Sequence, residues 1–377
     1  MTTARRSPHR AWVEVDHGAV RHNLRLVRDL AGDVEVIGVV KANAYGHGAV
    51  AVARTLVASG VERLAVATVG EAAELRAGGV EAPLLLLWGI GPPEVPALLE
   101  LELEATVYDR RGVELIAAGA ARAGHRAAVH LKVDTGLGRQ GSDPDEAVEL
   151  ATRIVRSRHL RLAGTFSHLA VPGEDEAYTD VQLLRLARVL DGMRSSGLDP
   201  GLVHVSASGG TLAGAGTFAD AIRPGLALYG LLPPWAAEHE PGLRPALSLK
   251  ATPLRIFDLA AGDPIGYGLR FRAERATRIA TLGVGYGDGW PRVHANNGRA
   301  LVRGRFAPTV GAISMDGLTV DVGGIDGVTY GDEFVLIGEQ EGARITAEDV
   351  AAERRTINYE VTTALRERLP RLHLGAD

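Results

Sequence analysis

The residues best equipped for covalent and acid-base chemistry sit just after a series of short apolar runs in the first 230 or so positions. Lys41 closes VEVIGVVK and leads into Ala-Asn-Ala-Tyr-Gly-His-Gly; Lys132 and Asp134 end the run at AAVHLKV; His168 ends LAGTFSH; His204, Ser206 and Ser208 lie in LVHVSAS; and Arg223 follows Ala221 and Ile222. Singly, each has a plain reading: a lysine ending a strand in solvent, a packed histidine, a serine in a turn. Jointly they supply an amine that can attack a carbonyl, imidazoles that can carry protons and a guanidinium that can hold an anion. In Ser206-Ala-Ser-Gly-Gly210 and Arg223-Pro-Gly-Leu226, glycines let backbone N–H groups reach phosphate oxygens and the Ser208 hydroxyl adds a donor. An anion cradle facing an imine-forming lysine suits pyridoxal phosphate, although other phosphate ligands fit the same residues. No HxxxH or carboxylate pair with ligand spacing appears, so no metal is expected, and with no Cys, thiolate chemistry and disulfides are excluded.

The elements that must position these groups are legible in the periodicity. Apolar runs beginning near Val34, Arg63, Pro83, Ala105, Ala127, Leu162, Leu202 and Ala221 alternate with amphipathic stretches rich in Arg and Glu, the pattern of repeated βα units. Eight consecutive units favour a closed (β/α)8 TIM-type barrel over an open doubly wound sheet. Such a barrel gathers the ends of its strands, and hence Lys41 through Arg223, on one face, and the loops after its last two strands are its usual phosphate site. After the Pro-rich LLPPWAAEHEPGLRPA the pattern changes to short strands punctuated by Gly, a second and mainly β domain. The division expected is a barrel over 11–240 and a β domain over 241–377, with the spare strand at 11–16 joining the latter. Thr346 to Asp349 has capping-box spacing and signals one late helix.

Composition bounds the function. The 377 residues carry 46 Asp plus Glu against 41 Lys plus Arg, a formal charge of -5, so no basic field for nucleic acid exists. No apolar run approaches the roughly 20 residues of a membrane helix, and MTTARRSPHR has no apolar stretch for a signal peptide, so a soluble cytoplasmic protein with a small-molecule partner is expected.

VVKANAYGHG at 39–48 resembles the cofactor-lysine motif of the alanine racemases. KVDTGLGRQG (132–141), FSH (166–168), VHVSASGGTL (203–212), IRPGLALYG (222–230), IGYG (265–268), GYGDGWPR (285–292), SMD (314–316) and TINYE (356–360) follow in that family's order over nearly the whole chain. The resemblance implies a barrel plus β-domain homodimer that uses pyridoxal 5'-phosphate to interconvert L- and D-alanine, a precursor of cell-wall peptidoglycan. It implies that Lys41 binds the cofactor and moves the Cα proton on one face, while Tyr267, given by the partner subunit, serves the other face. Inversion needs two such groups. A phenol with its ordinary pKa near 10 is only about 1% ionised at pH 8, a penalty of about 2.7 kcal/mol, and the resemblance offers His168, Arg223 and His204 as the chain that would lower it. Arg223 would also face the pyridine nitrogen and oppose its protonation.

Tyr45, Ser208, Gly225, Leu226 and Tyr359 match the family's phosphate contacts, and Arg139 with the Met315 backbone of the partner matches its substrate-carboxylate contacts. Lys132 matches a carbamylated lysine; as an ammonium about 4 Å from Arg139 it would be repelled by up to about 4 kcal/mol at an effective dielectric of about 20, unless Asp134 neutralised the cluster. Tyr267, Tyr286 and Tyr359 match an aromatic gate that favours alanine. The chain departs from the family at Ala207, where Asn is usual, at Ser314, where Cys is frequent, and in LAVPGEDEAY after His168. These departures bear on cofactor tuning and substrate range, so racemisation of another or a broader set of small amino acids is the first alternative. A non-catalytic pyridoxal phosphate protein is the second, and would be expected to lack the β domain and Tyr267. A barrel-type decarboxylase would need a catalytic Cys that this chain does not have.

Overall fold

The computed structural model describes residues 9–216, 218–239 and 242–376. The expected 240/241 division and most of MTTARRSPHR lie outside them. The chain forms two compact units, Val20–Tyr45 with Ala49–Arg244, and a second made of residues up to Ala19, Gly46–Gly48 and Pro245 onward.

Strand β1 (Ala11–Asp16) belongs to the second unit. The first unit holds β2 (Glu35–Val39), β3 (Arg63–Val66), β4 (Leu84–Leu86), β5 (Ala105–Val107), β6 (Ala127–Lys132), β7 (Leu160–Phe166), β8 (Leu202–Ala207) and β9 (Ala221–Arg223). All pair in parallel in the order β4-β3-β2-β9-β8-β7-β6-β5. The remaining gap is closed by Leu86 N–H donating to Glu104 O and Glu104 N–H to Leu84 O, both 2.9 Å, so the sheet is a barrel of the TIM type without an open edge. Strands buried on both faces read as continuous apolar runs, which is why all eight are visible in sequence.

The helices between them are amphipathic. Pro144–Arg156 is started by Asp143, whose side chain accepts the Asp145 N–H, and buries Ala147, Leu150, Ala151 and Ile154 at three- and four-residue spacing, while Glu149 and Arg153 pair on the outer face. Burying a residue such as Leu150 contributes about 1.5–3 kcal/mol.

In the second unit, β1 lies between β10 (Leu247–Ala251), antiparallel, and Arg371–Leu374, parallel, at one side of a ten-stranded sheet. Lys250 of β10 ties three adjacent segments together, with Glu14 of β1 at 2.8 Å and Glu333 at 3.0 Å. The Thr346 capping box is formed and opens the helix Ala347–Arg354. A second helix follows at Asn358–Thr363; Ile357 precedes it with no side-chain cap, so the sequence carries no start signal for it. Among the described residues no helix is long and apolar enough to cross a membrane.

Candidate active site

The chain turns left-handed directly after β2. Ala42, Asn43, Ala44 and Tyr45 all take positive φ, between 51 and 54°. A left-handed turn costs L-residues roughly 1–2 kcal/mol each, or about 4–8 kcal/mol over the four. Tertiary contacts hold it. The Glu71 carboxylate accepts the Ala42 N–H at 2.7 Å with one oxygen and the Ala67 and Thr68 N–H groups with the other; Asn43 Oδ1 accepts the Ala49 N–H at 2.7 Å; and Ala44 N–H donates to Val40 O at 2.8 Å. The Tyr45 ring packs on Tyr229, whose hydroxyl donates to Val39 O. Strain kept in place this way fixes Lys41 at the end of β2. Its amine is half-buried and its pKa is lowered, first by burial and then by the Arg139 charge, with Glu71 opposing. A larger share of it is therefore free base, the form that attacks a carbonyl or takes a proton.

The loops after β2, β8 and β9 gather donors beside this turn. Ser208 Oγ accepts the N–H groups of Gly225 and Ala227, each at 3.0 Å, and a Cβ on Gly225 would stand 2.6 Å from Tyr45 Oη. Only glycine leaves that approach open. Leu226 begins the short turn Leu226–Tyr229 with Gly225 as its cap. Two hydroxyls, a backbone that approaches closely and a nearby lysine fit a phosphate ester bearing a carbonyl, which is the chemistry of pyridoxal phosphate.

Arg223 is 2% exposed. It donates from Nη2 to Ser167 O at 2.7 Å, Val205 O at 2.9 Å and His168 Nδ1 at 3.3 Å, and from Nη1 to His204 Nδ1 at 2.6 Å. None of these partners is a carboxylate, and burial draws its pKa down to about 9. His168 and His204 are held well below the usual imidazole pKa, first by burial and then by Arg223. Both are neutral, as nitrogens accepting from a guanidinium must be. His204 also stacks on Phe166, with ring centroids 4.6 Å apart.

Lys132 is buried, donates to Gln140 Oε1 at 3.1 Å and lies 5.9 Å from the Trp88 ring, over which Arg139 sits at 5.2 Å. Burial first, then Arg139 and Arg223, bring its pKa to about 8. Asp134 pulls that pKa the other way, while its Oδ1 accepts the N–H groups of Gly136 and Gly138.

Tyr267, Met315, Tyr286 and Tyr359 belong to the second unit. Tyr267 opens the turn Tyr267–Leu269 and is 75% exposed; Met315 is 51% exposed, and its carbonyl accepts the Gly287 N–H at 2.8 Å. Ser314 Oγ donates to Gly317 O at 2.9 Å, so serine serves as a local turn lock. Ala207, at the start of the helix Ser208–Leu212, provides no side-chain cap.

The barrel brings to these residues several groups that the sequence does not single out: Trp88 and Gln140 beside Lys132, Ala227 at Ser208, and His130 with Glu104 behind His204. His130 had a signal, since it lies two residues before Lys132 on β6 and so shares its face. Glu104 had none.

A parallel barrel with a lysine and a phosphate-type cradle at the ends of its strands, joined in one chain to a mainly antiparallel β unit, is the architecture of a barrel enzyme acting through a carbonyl cofactor. Two family models match in succession, the alanine racemase N-terminal domain over residues 15–233 and the alanine racemase C-terminal domain over 246–373. The chain is 40% identical over 365 residues to alanine racemase 2 of Caldanaerobacter subterraneus subsp. tengcongensis, covering 96% of this chain and 94% of that one. Among solved structures, the alanine racemase of the D-cycloserine producer Streptomyces lavendulae superposes with a TM-score of 0.91 at 36% identity over 98% of both chains. The alanine racemase of Bartonella henselae, solved with covalently bound pyridoxal phosphate, gives 0.86 at 30% identity over 97% of this chain and all of that one. The chain belongs to the alanine racemase family.

Proposed function

We infer that this protein interconverts L- and D-alanine with pyridoxal 5'-phosphate. The observation that carries the reading is Lys41, held by a strained left-handed turn whose last residue, Tyr45, reaches the Gly225–Ser208 cradle. The cofactor, when bound, draws electrons from the amino acid and acidifies its Cα proton. Ser208, Tyr45, Gly225 and Leu226 would hold its phosphate. Lys41 Nζ, less basic than an exposed lysine, takes and returns the proton on one face. Arg223, pinned by two carbonyls and two neutral imidazoles, keeps its charge aimed at one place and opposes a proton on the pyridine nitrogen, which favours return of the proton at Cα. Arg139 and the partner's Met315 backbone hold the substrate carboxylate. Lys132, with a pKa near 8, is partly free base at neutral pH and so suited to carbamylation, which turns its repulsion from Arg139 into attraction.

The second proton-transfer group is the partner's Tyr267 in a homodimer. Tyr267 and Leu269, 75% and 56% exposed on one turn, are large side chains with little cover in the single chain. The protein works in the cytoplasm, where its D-alanine serves peptidoglycan.

The test is deuterium uptake at Cα from D2O across a panel of amino acids, together with mixing of two inactive variants. Both alanine enantiomers are expected to exchange, and exchange of serine or larger residues at similar rates would widen the substrate range. Lys41→Ala and Tyr267→Phe, each inactive alone, should regain about a quarter of wild-type activity when their subunits are exchanged in equal amounts, because half the dimers then hold one intact site. No exchange by the wild type would defeat the reading, and no recovery on mixing would defeat the shared site.

A further inference from the structure

Behind His204, a line of polar side chains crosses the barrel core. His204 Nε2 lies 2.9 Å from His130 Nδ1, and His130 Nε2 lies 3.3 Å from Glu104 Oε2. Arg63 Nη1 donates to both Glu104 oxygens at 2.7 Å, and Arg63 Nε donates to Glu35 Oε1 at 3.0 Å. Arg223 ends β9, His204 and His130 lie within β8 and β6, and Glu104, Arg63 and Glu35 stand at or beside the starts of β5, β3 and β2. The line therefore runs from the strand ends that carry Lys41 to the opposite end of the barrel.

Hydrogen-bond chemistry gives the line one direction. A guanidinium only donates, so His204 Nδ1 accepts and its single proton is on Nε2; His130 Nδ1 then accepts and its proton is on Nε2; and a carboxylate receives it. The protonation states agree. Burial lowers the pKa of both imidazoles, and Glu104, which burial alone would raise, is brought below its ordinary value by His130 and Arg63. Arg223 and Arg63 thus balance Glu104 and Glu35 along the line, with Arg223 and Glu104 buried and Arg63 and Glu35 partly exposed at its far end. Barrel interiors are usually filled by branched apolar side chains, and a buried ionic group is often no more stabilising than such packing.

We propose that His130 and Glu104 are positioning residues for the racemisation, anchoring the Nε2–H of His204 so that its Nδ1 holds the Arg223 guanidinium in one orientation. The proposal rests on the reading of Arg223 as the group facing the cofactor nitrogen. Without the anchor, the His204 ring has a buried donor with no acceptor, and its gain in rotating away competes with its bond to Arg223.

The experiment uses the full-length protein with three substitutions. His130→Leu fills space but removes the relay; His130→Gln preserves it, since an amide can accept from His204 and donate to Glu104; Glu104→Gln keeps an acceptor but removes the charge. 15N spectra of labelled histidine, taken without cofactor, should show the wild-type His204 proton on Nε2, a perturbed Nε2 signal in His130→Leu, and its restoration in His130→Gln. With cofactor, kcat for alanine should fall about 10- to 100-fold in His130→Leu at little change in KM, recover in His130→Gln, and lie between these in Glu104→Gln. A purely structural plug would alter melting temperature without this pattern. The proposal is overturned by a His204 proton on Nδ1, by a His130→Leu kcat within twofold of wild type, or by His130→Gln no better than His130→Leu. Absence of alanine turnover in the wild type would instead defeat the functional reading, with the nitrogen spectra still deciding the relay.

Discussion

Lowering the pH should destabilise the barrel well before its carboxylates titrate. His168 and His204 are neutral in the folded protein because burial and the Arg223 charge oppose a proton, and His130 is depressed to a lesser degree because Glu104 pulls the other way. In the unfolded chain each titrates near 6.5. Below that value the unfolded state binds more protons than the folded one, so stability is full above about pH 7.5 and is lost as pH falls through 6.5 toward the depressed folded values. For one imidazole that stays neutral when folded, moving from pH 7.5 to 5.5 removes about 1.4 kcal/mol; His168 and His204 together remove about 3 kcal/mol, and His130 adds a smaller share. Glu104 works in a different window, since its depressed pKa contributes stability that is present above about 4.5 and fades only below it. Thermal unfolding of the cofactor-free protein at the two pH values should therefore show a fall of about 6–12 °C in the barrel's Tm. In His204→Asn the pH-dependent part should shrink by one imidazole's share. Equal melting at pH 7.5 and 5.5, or an unchanged slope in His204→Asn, would mean that these rings are protonated when folded, and Nδ1 of His204 could then not accept from Arg223.

Two further perturbations test the elements on either side of Lys41. Ala42→Gly should stabilise the protein by about 0.5–1 kcal/mol, since glycine relieves left-handed strain that exceeds its own entropy cost, whereas Ala51→Gly in the following right-handed helix should destabilise by a similar amount; thermal melts of the two decide, and a destabilised Ala42→Gly would show that the turn is not strained. Gly225→Ala places a methyl 2.6 Å from Tyr45 Oη and should weaken pyridoxal phosphate binding about tenfold, followed by titrating the cofactor's absorbance; unchanged affinity would remove Gly225 and Tyr45 from the cradle.

The sequence was most legible where the physics is local. Parallel strands covered on both faces must be apolar throughout, so PLLLLW and its seven counterparts announced themselves, and a lysine, histidine, serine or arginine breaking such a run stood out at its end. The Thr346 helix was visible because capping is decided within four residues, and the Asn358 helix was not because Ile357 offers no cap. Lys-Ala-Asn-Ala-Tyr misleads in the other direction. Alanine favours a right-handed helix, and what overrides it is the Glu71 carboxylate, which lies about thirty positions away and meets Ala42 only once β2 and β3 have paired.

By itself, then, the sequence determined the succession of βα units, the change to a β-rich half and the identity of the groups that could do chemistry, because strand periodicity, capping and side-chain functionality are properties of short stretches of chain. Only the tertiary structure decided that the turn after β2 is left-handed, that Arg223 hydrogen-bonds two neutral imidazoles and no carboxylate, and that His130 and Glu104 stand behind His204. Those outcomes depend on desolvation and on which distant residues a closed barrel brings together. Neither is encoded at the position it affects: Glu104 reaches His130 because β5 pairs with β6, and Arg223 loses basicity because eight strands exclude water around it.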